Sequence, residues 1–349
     1  MEISREIQVE KKVDPSKIFQ VGMGFFASKT FLTAVKIELF TILANQWLSG
    51  QEIRHRLNLN ERSLYDFLDT LVALGFLQRK GIRENASYAN SPEAEIYLDK
   101  CRLTYIGGIL EMANNRLYPS WNHLEEALRT GKPQNELRSE GYDFFEQIYS
   151  DKRKTREFIN AMGGAQTGNF IAFAERFDFS KYTTLCDIGG AGAQLSAMVT
   201  MRKPQIHCKS FDLPAISPIA LENISKLGLA DKIEVVSGDF FNDPFPRADI
   251  ITMGNILHDW GTRDKIRLIQ KAYEALPSGG SFVVIESIID NERRENAFGL
   301  LMSLNMLIET QEGYNFSAED FNGWAKEAGF SETYILPLSE SSNAVVAVK

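Results

Sequence analysis

Beyond Tyr182 the chain alternates short apolar stretches with amphipathic ones, and no other feature of its 349 residues narrows the fold as far. The runs TTLCDI, IHCKSFDL, KIEVVSGDF, ADIITMG and SFVVIES read as strands. Segments near Gln194–Met201, Ile216–Leu227 and Asp264–Leu276 carry helical spacing. Strands joined through helices pair in parallel, with the helices covering both faces of the sheet. The prediction is an α/β fold with a doubly wound, mostly parallel sheet. Such a sheet takes its ligand at the carboxyl ends of the strands.

The first third reads as mainly helical. From Ser16 to Leu48, Phe19, Met23, Phe26, Phe31, Val35, Leu39 and Leu43 recur at three- and four-residue steps, a face wide enough to bury against a partner. A short helix over Gln51–Arg56 follows, then a break at Asn58–Asn60, and a longer helix from Glu61 to Leu74 stopped by Gly75. FLQRK and SYAN come next, separated by a turn, which completes a winged-helix outline. A DNA-reading second helix would present Arg, Lys, Asn or Gln. This one offers Glu61, Asp66 and Asp69 against Arg62, and the chain carries a net charge of −8, so nucleic acid is not the expected partner. A further helical stretch runs from Trp121 to Leu128, and Thr130–Gly141 reads as a loop.

Composition excludes two other classes. At 44% hydrophobic and 24% charged, the chain is neither disordered nor fibrous. Cys101, Cys186 and Cys208 form no zinc-ligand spacing, so no metal is expected and the thiols read as reduced. MEISREIQVEKKVD lacks the apolar centre of a secretory signal, and no apolar run approaches the roughly 18 residues that span a bilayer. A cytoplasmic location away from the membrane is the expectation.

The first strand runs into Asp187-Ile188-Gly189-Gly190-Ala191-Gly192-Ala193. Small residues here let a ligand approach the backbone and can aim free N–H groups at negative charge. A dinucleotide fingerprint fits poorly, because its third glycine falls on Leu195. The second strand ends at Asp212, whose carboxylate suits a ribose diol. The third ends at Asp239-Phe240, an acceptor for an adenine amino group beside a stacking face. Each alone could be a cap or a core residue; three successive strand ends point to an adenosine ligand.

With these pieces in place, Asn255-Ile256-Leu257-His258-Asp259-Trp260 resembles the hydrophobic-His-Asp-Trp signature of class I S-adenosylmethionine-dependent small-molecule O-methyltransferases, the caffeate, hydroxyindole and phenazine type. LCDIGGAG, FDLP, GDFF, the LPSGG turn and AEDFNGWAKEAGF extend the resemblance over nearly the whole chain. It implies a Rossmann-like domain over residues 106–349, preceded by a winged-helix dimerisation domain over residues 1–105, and hence a homodimer. It implies S-adenosylmethionine as cofactor, with Gly189 under the methionine portion, Asp212 at the ribose, Asp239 and Phe240 at the adenine, Met253 and Gly254 beside it, and Trp260 as an aromatic wall. Family members usually have glycine where this chain has Ala191 and Ala193, so those methyls are expected to crowd the cofactor or widen the loop.

Methyl transfer needs an acceptor stripped of its proton, and a histidine titrating near neutrality suits that task. His55 and His123 lie on polar helices and His207 begins a strand away from the ligand edge, whereas His258 follows a strand end beside the cofactor motifs. The resemblance makes His258 the general base and Glu286 the carboxylate that orients it. Asn315 stands where some relatives carry a second glutamate, leaving a group that can bind a hydroxyl or carbonyl but not act as base. Asp259 braces the loop, caps a helix or touches substrate.

Tyr142, Phe144, Phe145 and Met162, with Phe298, Met302, Asn305 and Met306 on a helix the resemblance sets over the site, make an apolar acceptor wall suited to a planar molecule. The expected reaction is O-methylation of a hydroxylated aromatic or enolised polyketide in secondary metabolism. C-methylation of an enol or phenol carbon, non-methylating use of the same cofactor, and a winged-helix ligand-sensing regulator are the alternatives.

Overall fold

The computed structural model describes residues 13–102, 104–135 and 148–349. These fall into two compact units, one before Thr104 and one running from Thr104 to Lys349.

In the first unit, α1 (Ser16–Gly22), α2 (Gly24–Lys36) and α3 (Leu39–Ile42) lead to the short strand β1 (Leu48–Ser49), then α4 (Gly50–Leu57), α5 (Leu64–Ala73), β2 (Leu77–Lys80) and β3 (Ser87–Asn90). Local chemistry fixes these boundaries. Ser49 and Glu52 form a reciprocal capping box at the start of α4, Asn58 ends it in the left-handed region, and Gly75 (φ +84°) turns the chain after α5. The strands pair antiparallel in the order β1-β3-β2. Asp69, expected on an exposed acidic face, instead faces the unit's own sheet, accepting from the Tyr88 hydroxyl (2.8 Å) and pairing with Arg79 (2.8 Å). Glu61, Arg62 and Asp66 are exposed.

Only the second half of α2 enters this unit's core, through Leu32, Ala34 and Val35. Ile18, Phe19, Val21, Met23, Phe25 and Phe26 all lie exposed. The helical stretch Ser16–Lys36 is also long and apolar enough to cross a membrane by composition, a correction to the expectation that no such run exists. Its charges are few, Lys17, Lys29 and Lys36, and no 18-residue window holds all of them, so the mean hydropathy stays high.

The second unit is built on a seven-stranded sheet. Its strands are β4 (Thr184–Ile188), β5 (His207–Asp212), β6 (Ile233–Ser237), β7 (Ile250–Gly254), β8 (Ser281–Glu286), β9 (Glu332–Pro337) and β10 (Asn343–Val348). The order is β6-β5-β4-β7-β8-β10-β9; the first five run parallel, and β10 pairs antiparallel with both β8 and β9. The doubly wound sheet anticipated from the sequence is therefore present, extended by an antiparallel pair. Strand order reverses at β4, so the crevice opens above the ends of β4, β5 and β7.

Period-two alternation feeds both faces: Leu185, Ile250 and Val283 enter one core, and their neighbours Cys186, Ile251 and Phe282 enter the other. The helices that cover the sheet and wall the crevice are α6 (Lys152–Arg176), α7 (Gln194–Arg202), α8 (Ser217–Lys226), α9 (Thr262–Ala275), α10 (Ala297–Glu309) and α11 (Ala318–Ala328).

Candidate active site

A cavity of about 1180 Å³ opens at this crevice, wholly within the second unit. Its floor is the loop after β4. Asp187, buried at the strand end, accepts from the Thr252 hydroxyl on β7 (2.7 Å), and burial pushes its carboxyl up to about 7. Gly189 takes φ +69°, and an added Cβ would meet Ile256 Cδ1 at 2.5 Å. Four of the loop's N–H groups are taken within the protein, where the sequence suggested free ones. Those of Gly189 and Gly190 both donate to Phe211 O (2.9 and 3.2 Å), that of Ala191 to Asp212 Oδ2 (2.8 Å) and that of Ala193 to Gly190 O (2.8 Å).

Ala191 and Ala193 adopt φ 49° and 63°, the conformation that glycine would take without strain. Ala191 lines the cavity; Ala193 is fully buried in the core and does not. The expected crowding thus concerns Ala191 alone.

Asp212 lines the cavity at the end of β5 and also accepts from Leu213 N (2.7 Å); burial raises its carboxyl to about 6 against the pull of its two N–H donors. Asp239 and Phe240 line it too. Asp239 accepts from Phe241 N (2.8 Å) and from the Asn242 amide (2.6 Å). Phe240, Phe241 and Trp260 meet edge to face at 4.6–6.0 Å, and Lys271 on α9 donates to the carbonyls of Phe240, Phe241 and Asp243 behind them. Gly254 and Trp260 line the cavity. Met253 does not: it shares the face of Ile251 on β7, and its side chain lies fully buried in the core on that side of the sheet.

His258 sits in the short turn Leu257–Asp259 that follows β7, on the cavity wall yet 6% exposed. Its Nδ1 is 3.5 Å from Glu286 Oε2 and its Nε2 is 3.3 Å from Asp259 Oδ1, while its backbone N donates to Glu286 Oε1 (3.2 Å). Burial disfavours the imidazolium, but the two carboxylates outweigh it and push His258 up to about 9. Glu286, at the end of β8, lies behind His258 and off the cavity surface, its carboxyl raised by burial. Lys265, fully buried on α9, donates to Trp260 O and lies over the Tyr314 ring (3.5 Å). Asn315 does not reach the cavity; it is buried with its amide donating to Ser287 O (3.0 Å). His55, His123 and His207 lie outside the cavity lining.

Helix α10 presents Phe298, Met302, Asn305, Met306 and Glu309 along one face of the cavity, at the spacing of a single helical stripe. Met162 comes from α6 and Asp259 from the His258 turn. Phe145, with Tyr142 and Phe144, lies outside the described residues. Among the lining residues that went unnoticed in the sequence are Arg116 and Glu309, which pair at 2.9 Å. A glutamate closing the otherwise apolar run AFGLLMSLNMLIE was the available signal.

Residues 121–331 match an O-methyltransferase domain and residues 19–100 an O-methyltransferase dimerisation domain. The chain belongs to the O-methyltransferase family. It is 37% identical over 335 residues to the tetracenomycin polyketide synthesis 8-O-methyl transferase TcmO of Streptomyces glaucescens, covering 96% of this chain and 97% of that protein. It is 31% identical to the N,N-dimethyltransferase OxyT of Streptomyces rimosus over 90% of each. The crystal structure of human N-acetylserotonin methyltransferase in complex with S-adenosylmethionine superposes with a TM-score of 0.88 at 26% identity, covering 97% of this chain and 99% of that one. This O-methyltransferase is an S-adenosylmethionine-dependent enzyme.

Proposed function

We propose that the protein methylates a hydroxyl of an aromatic or polyketide-like small molecule, with His258 as the base. One observation carries the reading: an imidazole held between two carboxylates shares a cavity with the acid-bearing ends of β5 and β6. The residues present fit the cofactor. Gly189 and Gly190 present bare backbone to the cavity, Asp212 offers the acceptor a ribose diol requires, and Asp239 with Phe240 offers an acceptor and a ring face for adenine.

Bound S-adenosylmethionine supplies an electrophilic methyl group. The protein's own task is to place the acceptor and take its proton. Glu286 Oε2, 3.5 Å from Nδ1 of His258, favours a proton on that nitrogen, so that the neutral imidazole, the form that prevails above about pH 9, can take the acceptor's proton at Nε2. Asp259 stands beside that nitrogen and stabilises the imidazolium once formed. Met162, Met302 and Met306 supply an adaptable apolar wall, and Asn305, already accepting from Trp121 Nε1 (2.9 Å), holds a fixed polar point within it.

The exposed apolar face of α1 and α2, on a segment that matches a dimerisation domain, supports a homodimer in which residues 1–105 pack the subunits and residues 106–349 catalyse. Exposed Glu61 and Asp66 support reading the winged-helix arrangement as packing rather than DNA recognition. A cytoplasmic setting in secondary metabolism follows from the same reading.

The test is incubation with S-adenosylmethionine and a panel of hydroxylated polycyclic aromatics, followed by mass and proton-NMR analysis. An O-methyl product with stoichiometric S-adenosylhomocysteine is expected. A C-methyl product, or turnover without S-adenosylhomocysteine, overturns the assignment.

A further inference from the structure

Lys265 is fully buried on the inner face of α9 with Leu268, Ile269 and Ala272, off the cavity surface. An apolar side chain would complete that face, and a buried lysine costs free energy unless its ammonium is well partnered. The partners lie on two segments that meet at the base. The backbone N of Lys265 donates to Gly261 O (3.0 Å), and its ammonium to the preceding carbonyl, Trp260 O, at the end of the His258-Asp259-Trp260 motif. The same ammonium sits 3.5 Å from the centre of the Tyr314 ring, whose hydroxyl meets Thr262 Oγ1 at 2.6 Å. Asp320 on α11, with Glu286 and Asp259, adds favourable charge around it, while burial lowers it to about 8.

Tyr314 belongs to the segment that leaves α10. Within that segment Thr310 Oγ1 accepts from Gly313 N (2.9 Å) and donates to Met306 O (2.8 Å), which ties it to the helix bearing Met302 and Met306. An added Cβ on Gly313 would stand 2.6 Å from His258 O and 2.8 Å from Asp259 O. The base turn and the end of the acceptor wall are therefore packed together, and Lys265 holds both sides of that junction. We propose that Lys265 is a positioning residue for methyl transfer: its ammonium pins the turn that carries His258 to the segment leaving α10, and so fixes the imidazole relative to the acceptor wall. A reacting group displaced by about 1 Å costs roughly 100-fold in rate, so the junction bears directly on turnover. This inference rests on the reading of His258 as the base.

The test follows the histidine Cε1–H proton signals of the full-length protein saturated with S-adenosylhomocysteine, at about pH 7, where the buried ammonium keeps its charge. His258→Ala identifies the His258 signal by its disappearance. Lys265→Met keeps the length of the side chain and removes the ammonium. It is expected to shift or broaden the His258 signal while those of His55, His123 and His207 stay in place. It should also lower kcat toward 1-naphthol by about tenfold or more, with KM for S-adenosylmethionine within about twofold of wild type. Tyr314→Leu should reproduce both effects, and Tyr314→Phe, which keeps the ring, neither. An unmoved His258 signal in Lys265→Met, or a KM that rises in step with the fall in kcat, overturns the proposal. If thermal melting shows that Lys265→Met fails to fold, the two Tyr314 variants decide, and equal effects in both overturn it. A wild type inert toward 1-naphthol strikes the acceptor reading and leaves the His258 signal to decide. Full turnover by His258→Ala strikes the base reading while the signal still reports on the junction, so the failures are distinct.

Discussion

The two ends of the cavity are built by different means. At the cofactor end, strand termini and backbone hydrogen bonds do the positioning: Asp212 is tied to Ala191 N and Leu213 N, Asp239 to Phe241 N, and the glycine loop to Phe211 O. At the acceptor end, one face of α10 and the side chains of α6 form the wall, held by side-chain pairs such as Arg116–Glu309 and Trp121–Asn305. A strand end fixes a residue to within a register step, whereas a helix face only selects one residue in three or four. The first end can therefore serve one fixed ligand while the second varies. His258 stands at the seam.

The largest effect should come at that seam. His258→Ala is expected to lower turnover by roughly 100-fold or more while S-adenosylhomocysteine affinity, measured by calorimetry, stays within about twofold of wild type. Comparable losses in both would erase the division between the ends. Next in size, Asp212→Ala removes both ribose acceptors at once. A weakening of S-adenosylhomocysteine binding by about 10- to 100-fold is expected, with the acceptor panel's order of preference unchanged; a reordered panel would show that the ends are coupled.

The pH profile gives a smaller signal. Glu286 and Asp259 hold His258 up at about 9, and a base must be neutral to accept a proton, so kcat/KM should rise with pH and level off only above that value. Glu286→Gln removes one of the two carboxylates and should move the rise toward lower pH; an unmoved midpoint would detach Glu286 from His258.

The smallest test concerns the glycine loop. Ala191 is held in the left-handed region, which costs an L-residue about 1–2 kcal/mol, and glycine returns roughly half of that as unfolded-chain entropy. Ala191→Gly should therefore stabilise by about 0.5 kcal/mol, or a melting shift of about 1–2 °C. Ala193→Gly relieves the same strain but deletes a fully buried methyl worth about 0.8 kcal/mol, so it should change little. A clear stabilisation by the second and none by the first would reverse the account of the loop.

The same contrast explains what the sequence disclosed. Strand ends advertise themselves, because a small or acidic residue after an apolar run has few other reasons to be there; Gly189, Asp212 and Asp239 were legible for that reason. The alternation also announced the sheet. It did not announce β9 and β10, whose antiparallel pairing follows no crossover helix. Nor did it reveal that α6 continues unbroken through Gly163, Gly164 and Gly168, residues that ordinarily weaken a helix. At one of them the bare backbone allows close packing: an added Cβ on Gly163 would lie 2.3 Å from Gln194 Nε2.

Met253 marks one limit of position-by-position resemblance, since a shift of one residue along a strand turns a side chain from ligand to core; Asn315 marks another, on a loop whose path turns its amide to Ser287 O. Arg116 and Glu309, 193 residues apart, are brought together only by tertiary structure. The loop N–H groups that looked available in the sequence are consumed by Phe211 and Asp212, a fact visible only once the strands are side by side.

The central claim is that His258 removes the acceptor's proton, and acceptor acidity tests it most directly. Methyl transfer should be measured for wild type and His258→Ala on two matched phenols, one un-ionised at the assay pH and one made ionised by a ring nitro group. The variant is predicted to lose about 100-fold on the first and only a few-fold on the second, because an ionised phenol needs no base. An equal loss on both would mean that His258 holds the site's shape and takes no proton.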